Sequence, residues 1–322
     1  MNMKKLLSFM LVVAMMLTLS LSFAEEKPAL PRVVALKGPT AMGLTKMMTD
    51  EADKYDFQIV GAVDEISPLL IKGEVDIAAV PANLASVLFN KTEGKIQVLA
   101  VNTLGVLYIV ENGNSITSVE DLRGKTIYSS GKGATPEYAL NYILTANGLV
   151  PGQDVTIDFR AEHTECLTAL VSTEGAVAML PQPFLTTAQM KQEGINMVLD
   201  LNEEWAKLQQ NEENPSALLT GVMVVRTEYA EQNPEAVAAF MDSYAASVEY
   251  VNTNTDEAAK LIAGFDIVPE PVAKLALPYC KIVYFEGAEM KDMLSGYLQV
   301  LFDQNPQAVG GTLPTDAFYY GR

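Results

Sequence analysis

Cysteine, histidine, tryptophan and basic charge are all scarce in this 322-residue chain, and each scarcity removes a class of function. The two cysteines, Cys166 and Cys280, are far apart and outside any close-spaced pair, so neither a disulfide framework nor a zinc knuckle is implied. One bridge between them is the pairing left open. The single histidine lies in His163-Thr164-Glu165-Cys166, too small a constellation for a metal site or a Cys/His nucleophile, so it reads as a hydrogen-bonded loop residue. No GxxxxGK(S/T), GxGxxG, GxSxG or HExxH motif occurs. The adjacent acids Asp64-Glu65 and Glu203-Glu204 read as solvated surface, and Trp205 is uninformative about function. No catalytic residue, metal or cofactor is therefore expected. With 22 basic against 40 acidic residues and a formal charge of −18, the chain would repel a polyanion, and no basic patch offsets this, so nucleic acid is excluded as a partner.

What remains is an ordinary globular composition, 49% hydrophobic and 19% charged with 21 Gly and 16 Pro, in a chain long enough to expect two cores. Its first residues have a different character. Lys4 and Lys5 precede an apolar run over residues 6–23, and Ser22-Phe23-Ala24 places small residues at the −3 and −1 positions before Glu25. This reads as a secretory signal peptide, residues 1–24, cleaved after about Ala24; the competing reading is an uncleaved membrane anchor. No cysteine near the cleavage site offers a lipid anchor. Cleavage takes away Lys4 and Lys5 and no acid, which moves the charge from −18 to −20. No second long apolar run follows, so an extracytoplasmic soluble protein, and a monomer, is expected.

The body repeats itself. Residues 32–36 read as a buried strand ending at Lys37-Gly38-Pro39-Thr40, where a helix opens at Ala41. Residues 57–63 form a second strand, Ser67-Pro68 caps a short helix that ends at Gly73, and residues 75–80 form a third strand stopping at Pro81. About a hundred residues later the order returns. A strand at 125–128 leads to Gly131-Lys132-Gly133-Ala134-Thr135 and a helix over 136–147; a strand at 154–159, a helix at 167–171 and a strand at 176–180 ending at Pro181 follow. Alternating strand and helix predicts an α/β fold of two similar lobes with mainly parallel sheets. The apolar stretches 96–101 with 104–110, and 216–225, read as two crossings, which places residues 25–108 plus 222–322 in one lobe and 109–221 in the other. The tail is helical by pattern, with starts at Asn233-Pro234-Glu235 and Thr255-Asp256.

Ligands in open parallel sheets settle beyond the carboxyl ends of strands, and both KGxT turns lie at that edge. A helix start offers unpaired N–H groups and positive dipole, so Gly38, Pro39, Thr40 and Ala41 in one lobe, and Ser130, Gly131, Lys132, Gly133, Ala134 and Thr135 in the other, are candidate ligand contacts. Plain helix capping is the alternative for each turn. Asn83 after Pro81, and Gln182 with Pro183 after Pro181, are candidate side-chain contacts at the same edge. Thr103 stands near the first crossing, with Thr220 and Gly221 as counterparts on the return.

These residues resemble a known family, the type II periplasmic binding protein-like substrate-binding proteins of ABC importers, in the branch of aliphatic-sulfonate, nitrate and thiamine-precursor binders. The likeness rests on the leader, the strand-turn-helix from Val33 to Met48, Ile71-Lys72-Gly73-Glu74-Val75-Asp76-Ile77-Ala78, Ser118-Val119-Glu120-Asp121-Leu122-Arg123-Gly124-Lys125 and Glu231-Gln232-Asn233-Pro234-Glu235-Ala236-Val237. The resemblance implies two lobes closing on a small solute, such as a sulfonate, nitrate or pyrimidine, and handing it to a membrane permease. It puts the contacts at 38–41, 81–83, 103, 130–135 and 182–183. A sensor subunit reporting the same solute to a kinase would use the same fold, and the residues do not separate the two roles. The branch also contains thiamine-pyrimidine-synthesis enzymes with a His and a Cys-rich loop; one His and no Cys cluster depart from that pattern.

Overall fold

A computed structural model describes residues 30–213 and 215–321, so the expected signal peptide lies outside the described residues. In chain order, β1 (Arg32–Leu36), α1 (Pro39–Met42), α2 (Thr45–Asp50), β2 (Asp56–Val60), α3 (Val63–Lys72), β3 (Ile77–Pro81), α4 (Ala82–Lys91) and β4 (Ile96–Leu104) come first. Next come β5 (Leu107–Asn112), β6 (Thr126–Ser129), α5 (Thr135–Ala146), β7 (Thr156–Phe159), α6 (His163–Ser172), β8 (Val177–Pro181), α7 (Phe184–Lys191), β9 (Ile195–Asp200) and α8 (Leu201–Gln209). The last part holds β10 (Leu219–Arg226), α9 (Thr227–Gln232), α10 (Pro234–Thr253), α11 (Thr255–Gly264), α12 (Glu270–Ala276), β11 (Ile282–Phe285) and α13 (Gly287–Gln304).

Among the described residues the strands form a six-stranded sheet, β11-β4-β10-β3-β1-β2, and a five-stranded sheet, β7-β6-β8-β5-β9. The α/β architecture agrees with the sequence, and so does the repeat: β2-β1-β3-β10-β4 matches β7-β6-β8-β5-β9 position by position. The strand-helix-strand parts are parallel, β1 with β2 and β3, and β6 with β7 and β8. As wholes the sheets are mixed, because β10 runs antiparallel to β3 and β4, and β5 antiparallel to β8 and β9. A strand arriving from the other sheet carries no helical crossover of its own sheet, so nothing forces it to run parallel. The chain leaves the first sheet after Leu104, enters the second at Leu107, and returns between Gln209 and Leu219.

Consecutive buried residues in β1 (Val33, Val34, Ala35) and throughout β3 and β8 mark strands covered on both faces. Period-two alternation sorts them. Val33, Ala35, Ile77 and Ala79 pack with Met42, Phe240 and Tyr244 on one face. Val34, Ala78 and Val80 pack on the other, in a cluster that continues through Leu294, Tyr297 and Leu298 of α13 to Leu107, Ile127 and Leu140 of the second sheet. Trp205 is fully buried there, its ring centroid 4.6 Å from Tyr142 and 5.5 Å from Tyr297, and its indole N–H bonds Ser216. Burying a side chain of this size contributes roughly 1.5–3 kcal/mol, which makes this a strong tie between α5, α8 and α13.

Three local expectations are corrected. Helix α3 starts at Val63, a turn before Ser67-Pro68: the Glu65 carboxylate accepts the Ala62 N–H at 2.9 Å, Asp64 and Glu65 favour the positive helix start, and Pro68 sits inside. His163 is the first residue of α6, not a loop residue. Cys166 and Cys280 are both free and buried in different clusters, so the bridge left open does not form. The sequence reading had no counterpart for α7, β9 and α8, whose apolar spacing is short and broken.

Candidate functional site

Both predicted turns form at the carboxyl ends of central strands. After β1, Gly38 takes φ 138° and ψ −154°, Pro39 supplies the first helical position of α1, and the Thr40 hydroxyl donates to the Leu36 carbonyl at 2.7 Å. After β6, Gly131 (φ 74°) and Gly133 (φ 76°) are left-handed, where a side chain is strained. At Gly131 an added Cβ would also lie 2.9 Å from Cγ of Pro136, so the loop folds onto the first turn of α5 only with glycine there.

Between the turns is a cavity of about 50 Å³. At roughly 10–15 Å³ per water centre this holds about three to five small heavy atoms, the scale of a compact solute. Residues around the first sheet contribute Leu36, Lys37, Pro39, Thr40, Gly61, Val63, Pro81, Thr103 and Thr220 to its wall; residues around the second contribute Val106, Leu107, Ser130, Gly131, Pro136, Ala161, Glu162, His163 and Pro181. The wall is mostly apolar with a few hydroxyls.

The polar groups are arranged by local bonds. Thr103 Oγ1 donates to Asn102 Oδ1 at 3.1 Å, and Thr220 Oγ1 is buried with no partner among the described residues. Ser130 Oγ lies 2.7 Å from His163 Nδ1, and the His163 ring packs against Phe184 at 5.0 Å. The ring is only partly open to the cavity, and desolvation pushes its pKa down to about 4, so it is neutral near pH 7. A neutral imidazole and a hydroxyl carry one N–H and one O–H between them. Their mutual bond uses one proton, so in either tautomer the pair keeps one donor.

Of the residues singled out in the sequence, Pro39, Thr40, Pro81, Thr103, Ser130, Gly131 and Thr220 meet in this wall. The others stand apart from it. Gly38 shapes the turn and Ala41 is in the core. Lys132 is exposed, its ammonium 5.8 Å from the Phe159 ring centroid, and the Gly133 N–H bonds Glu137. Ala134 is the buried N-cap of α5. Asn83 donates to the carbonyls of Ala308 (2.9 Å) and Gly133 (3.4 Å) and accepts from the Thr135 hydroxyl (3.3 Å), which itself accepts from Tyr297 OH (3.1 Å). Gln182 accepts from Thr186, and Pro183 is buried as the N-cap of α7. Lys37, Glu162 and His163 were not predicted as ligand contacts, because they come together only when the loops after β1 and β7 converge. Among the described residues no cluster of His, Cys, Asp or Glu is arranged to hold a metal.

A family model described as "ABC transporter, phosphonate, periplasmic substrate-binding protein" matches residues 44–268, which is more than half of the chain. The chain belongs to this family of periplasmic substrate-binding proteins. It is the periplasmic substrate-binding component of an ABC import system. No curated protein matches the chain by sequence. Among solved structures, an ABC transporter from Parabacteroides distasonis is 26% identical, with TM-score 0.73 over 91% of this chain and 99% of that one. The periplasmic aliphatic sulphonate binding protein SsuA from Escherichia coli is 16% identical, with TM-score 0.70 over 92% and 93%. The alkanesulfonate-binding protein SsuA from Xanthomonas axonopodis pv. citri, bound to MOPS, is 13% identical, with TM-score 0.69 over 91% and 96%. These likenesses carry the periplasmic binding protein fold. Members of this family bind solutes, and no described helix of this binding protein is long and apolar enough to cross a membrane.

Proposed function

We propose that this binding protein captures a small oxyanion-bearing solute, a phosphonate or sulfonate, in the cavity between its two sheets and delivers it to a membrane permease without chemical change. Lobes of residues 25–108 plus 222–322 and of 109–221 close on the solute about the crossings, and the protein acts as an exported monomer cleaved after about Ala24. The observation that carries this reading is the cavity itself, to which loops around both sheets contribute hydroxyls and close-approach glycine. The Ser130–His163 pair with its spare donor, beside Gly131 and the start of α5, suits an oxyanion. Apolar residues such as Val63, Val106 and Leu107 suit a short alkyl group. Among the described lining residues none is Phe, Tyr or Trp, so a flat heterocycle such as a pyrimidine would find no stacking partner beyond the imidazole.

The test is a thermal-shift screen of the purified protein with alkylphosphonates, alkanesulfonates, nitrate and pyrimidines, followed by calorimetry and analysis of the recovered solute. A ligand at a hundred times its Kd adds roughly 2.7 kcal/mol, worth several degrees at about 2–4 °C per kcal/mol. A shift confined to phosphonates or sulfonates, with the solute recovered unchanged, is the expected result. Selective binding of nitrate or a pyrimidine, or recovery of a converted product, would reject it.

A further inference from the structure

Glu162 is the N-cap residue of α6, yet its side chain does not cap that helix. One carboxylate oxygen, Oε2, accepts from the Thr164 hydroxyl at 2.9 Å. The other, Oε1, reaches away from its own sheet and lies over Gly61, in the loop between β2 and α3 of the facing sheet. A Cβ added at Gly61 would lie 2.7 Å from Oε1 and 3.0 Å from the carboxyl carbon. Gly61 is outside the left-handed region, so its backbone accepts a side chain; the approach of the carboxylate is what requires glycine there.

This contact sits where rotation of one sheet against the other is felt most. β2 is the edge of the six-stranded sheet, three strands from β10, and β7, which leads to Glu162, is the edge of the five-stranded sheet, three strands from β5. The chain crosses between the sheets from β4 to β5 and again before β10. Three strand spacings of about 4.8 Å make a lever arm of roughly 14 Å, so a rigid rotation of about 15° about the crossings parts the two edges by roughly 4 Å. That breaks the Glu162–Gly61 contact outright, whereas ties after the inner strands β3 and β6, such as Asn83 with Thr135, are displaced less. Facing the carboxylate are the N–H end of α3 and, in the same cavity wall, Lys37; Asp64 and Glu65 of that first turn are exposed, and Glu65 is bound to the Ala62 N–H. A carboxylate is favoured beside a helix start, and solvated acids oppose it only weakly.

Resting on the lobe closure proposed above, we propose that Glu162 is an interlobe latch, a positioning residue whose carboxylate seats on Gly61 only when the lobes are closed and so biases the protein toward the closed form whatever the solute. Apparent affinity for any solute then scales with the closed fraction.

Double electron–electron resonance between spin labels on Gln58→Cys in β2 and Thr168→Cys in α6, both exposed positions, tests this in the purified protein; the native cysteines are buried. A short-distance population is expected in the parent, and Gly61→Ala and Glu162→Ala should each lower the short-to-long ratio about 2- to 5-fold. Because an added Cβ at 61 meets nothing but Glu162, the double variant should fall no further than Glu162→Ala alone. No short-distance population in the parent, a ratio that both single variants leave unmoved, or a Gly61→Ala effect undiminished in the Glu162→Ala background overturns the latch. A single distance common to every variant, unchanged by ethylphosphonate, ethanesulfonate or nitrate, rejects lobe closure itself; two populations in unmoved proportion reject the latch alone. Should Gly61→Ala fail to fold, as shown by loss of its cooperative thermal transition, the comparison of the parent with Glu162→Ala decides.

Discussion

Asn83 is fully buried and its side chain ties three segments together: α4 that carries it, the Gly133–Thr135 turn before α5, and the turn at Pro306–Val309. In Asn83→Ala the Ala308 carbonyl loses its 2.9 Å donor, and the longer bonds to Gly133 and Thr135 disappear with it. The Ala308 bond at a net 0.5–1.5 kcal/mol, with about 1–3 kcal/mol for its acceptor left buried and unpaired, gives a destabilisation of roughly 1.5–4.5 kcal/mol before the two longer bonds are counted. At about 2–4 °C per kcal/mol this is a fall of roughly 3–18 °C in Tm. Urea unfolding followed by Trp205 fluorescence is the assay, because Trp205 is the single tryptophan and stacks near Tyr297, whose hydroxyl bonds Thr135. Asn83→Asp keeps an acceptor for Thr135 but faces two carbonyls with a carboxylate, and should be less stable than Asn83→Ala. A stability change below about 1 kcal/mol together with a large loss of solute affinity would refute this reasoning and make Asn83 a direct solute contact.

Gly133→Ala should cost only the left-handed backbone penalty of about 1–2 kcal/mol, since nothing lies within 4 Å of its added Cβ, whereas Gly131→Ala adds the clash with Pro136 and should be the less stable of the two by urea denaturation. His163 is depressed to about 4 in the fold, so the unfolded chain takes up its proton first as pH falls through 6.5. Stability should be fully present above that value and decline by at most about 1.4 kcal/mol per pH unit down to about pH 4; chemical unfolding of His163→Gln across the same range should show a shallower decline. Burial pushes both Cys166 and Cys280 up to about 12, so neither should react with a thiol reagent at pH 8 until the protein is unfolded; prompt labelling of the native protein would contradict this.

Much of the architecture was legible because it depends on short-range pattern. Buried β-branched runs ended by Gly or Pro located β1, β3, β6 and β8, and the agreement of two such series 100 residues apart (177 minus 77) revealed the repeat before any coordinates. Where local signals conflicted, packing decided. Ser67-Pro68 has the form of a helix start, yet burial of Ile66 and Leu70 and the Glu65 bond to Ala62 carried α3 through it. Strand direction was not legible either, since hydropathy is the same read forwards or backwards, and β5 and β10 are antiparallel to the neighbours they match.

The site divides along the same line. Sequence by itself determined that two glycine-bearing turns sit at strand ends, because each apolar strand run stops at a Gly-containing stretch before a helical pattern, and glycine takes the left-handed φ of 74° and 76° found at 131 and 133 at the least cost. Which side chains face one another was decided by the tertiary structure alone. Asn83 and Thr135 meet across 52 residues and bond each other, while Glu162 and His163 reach the cavity from a helix start that no motif marks. Side-chain direction follows from how the two sheets are set around the crossings. That setting is a sum over many buried contacts, of which a linear pattern records the identities but not the partners.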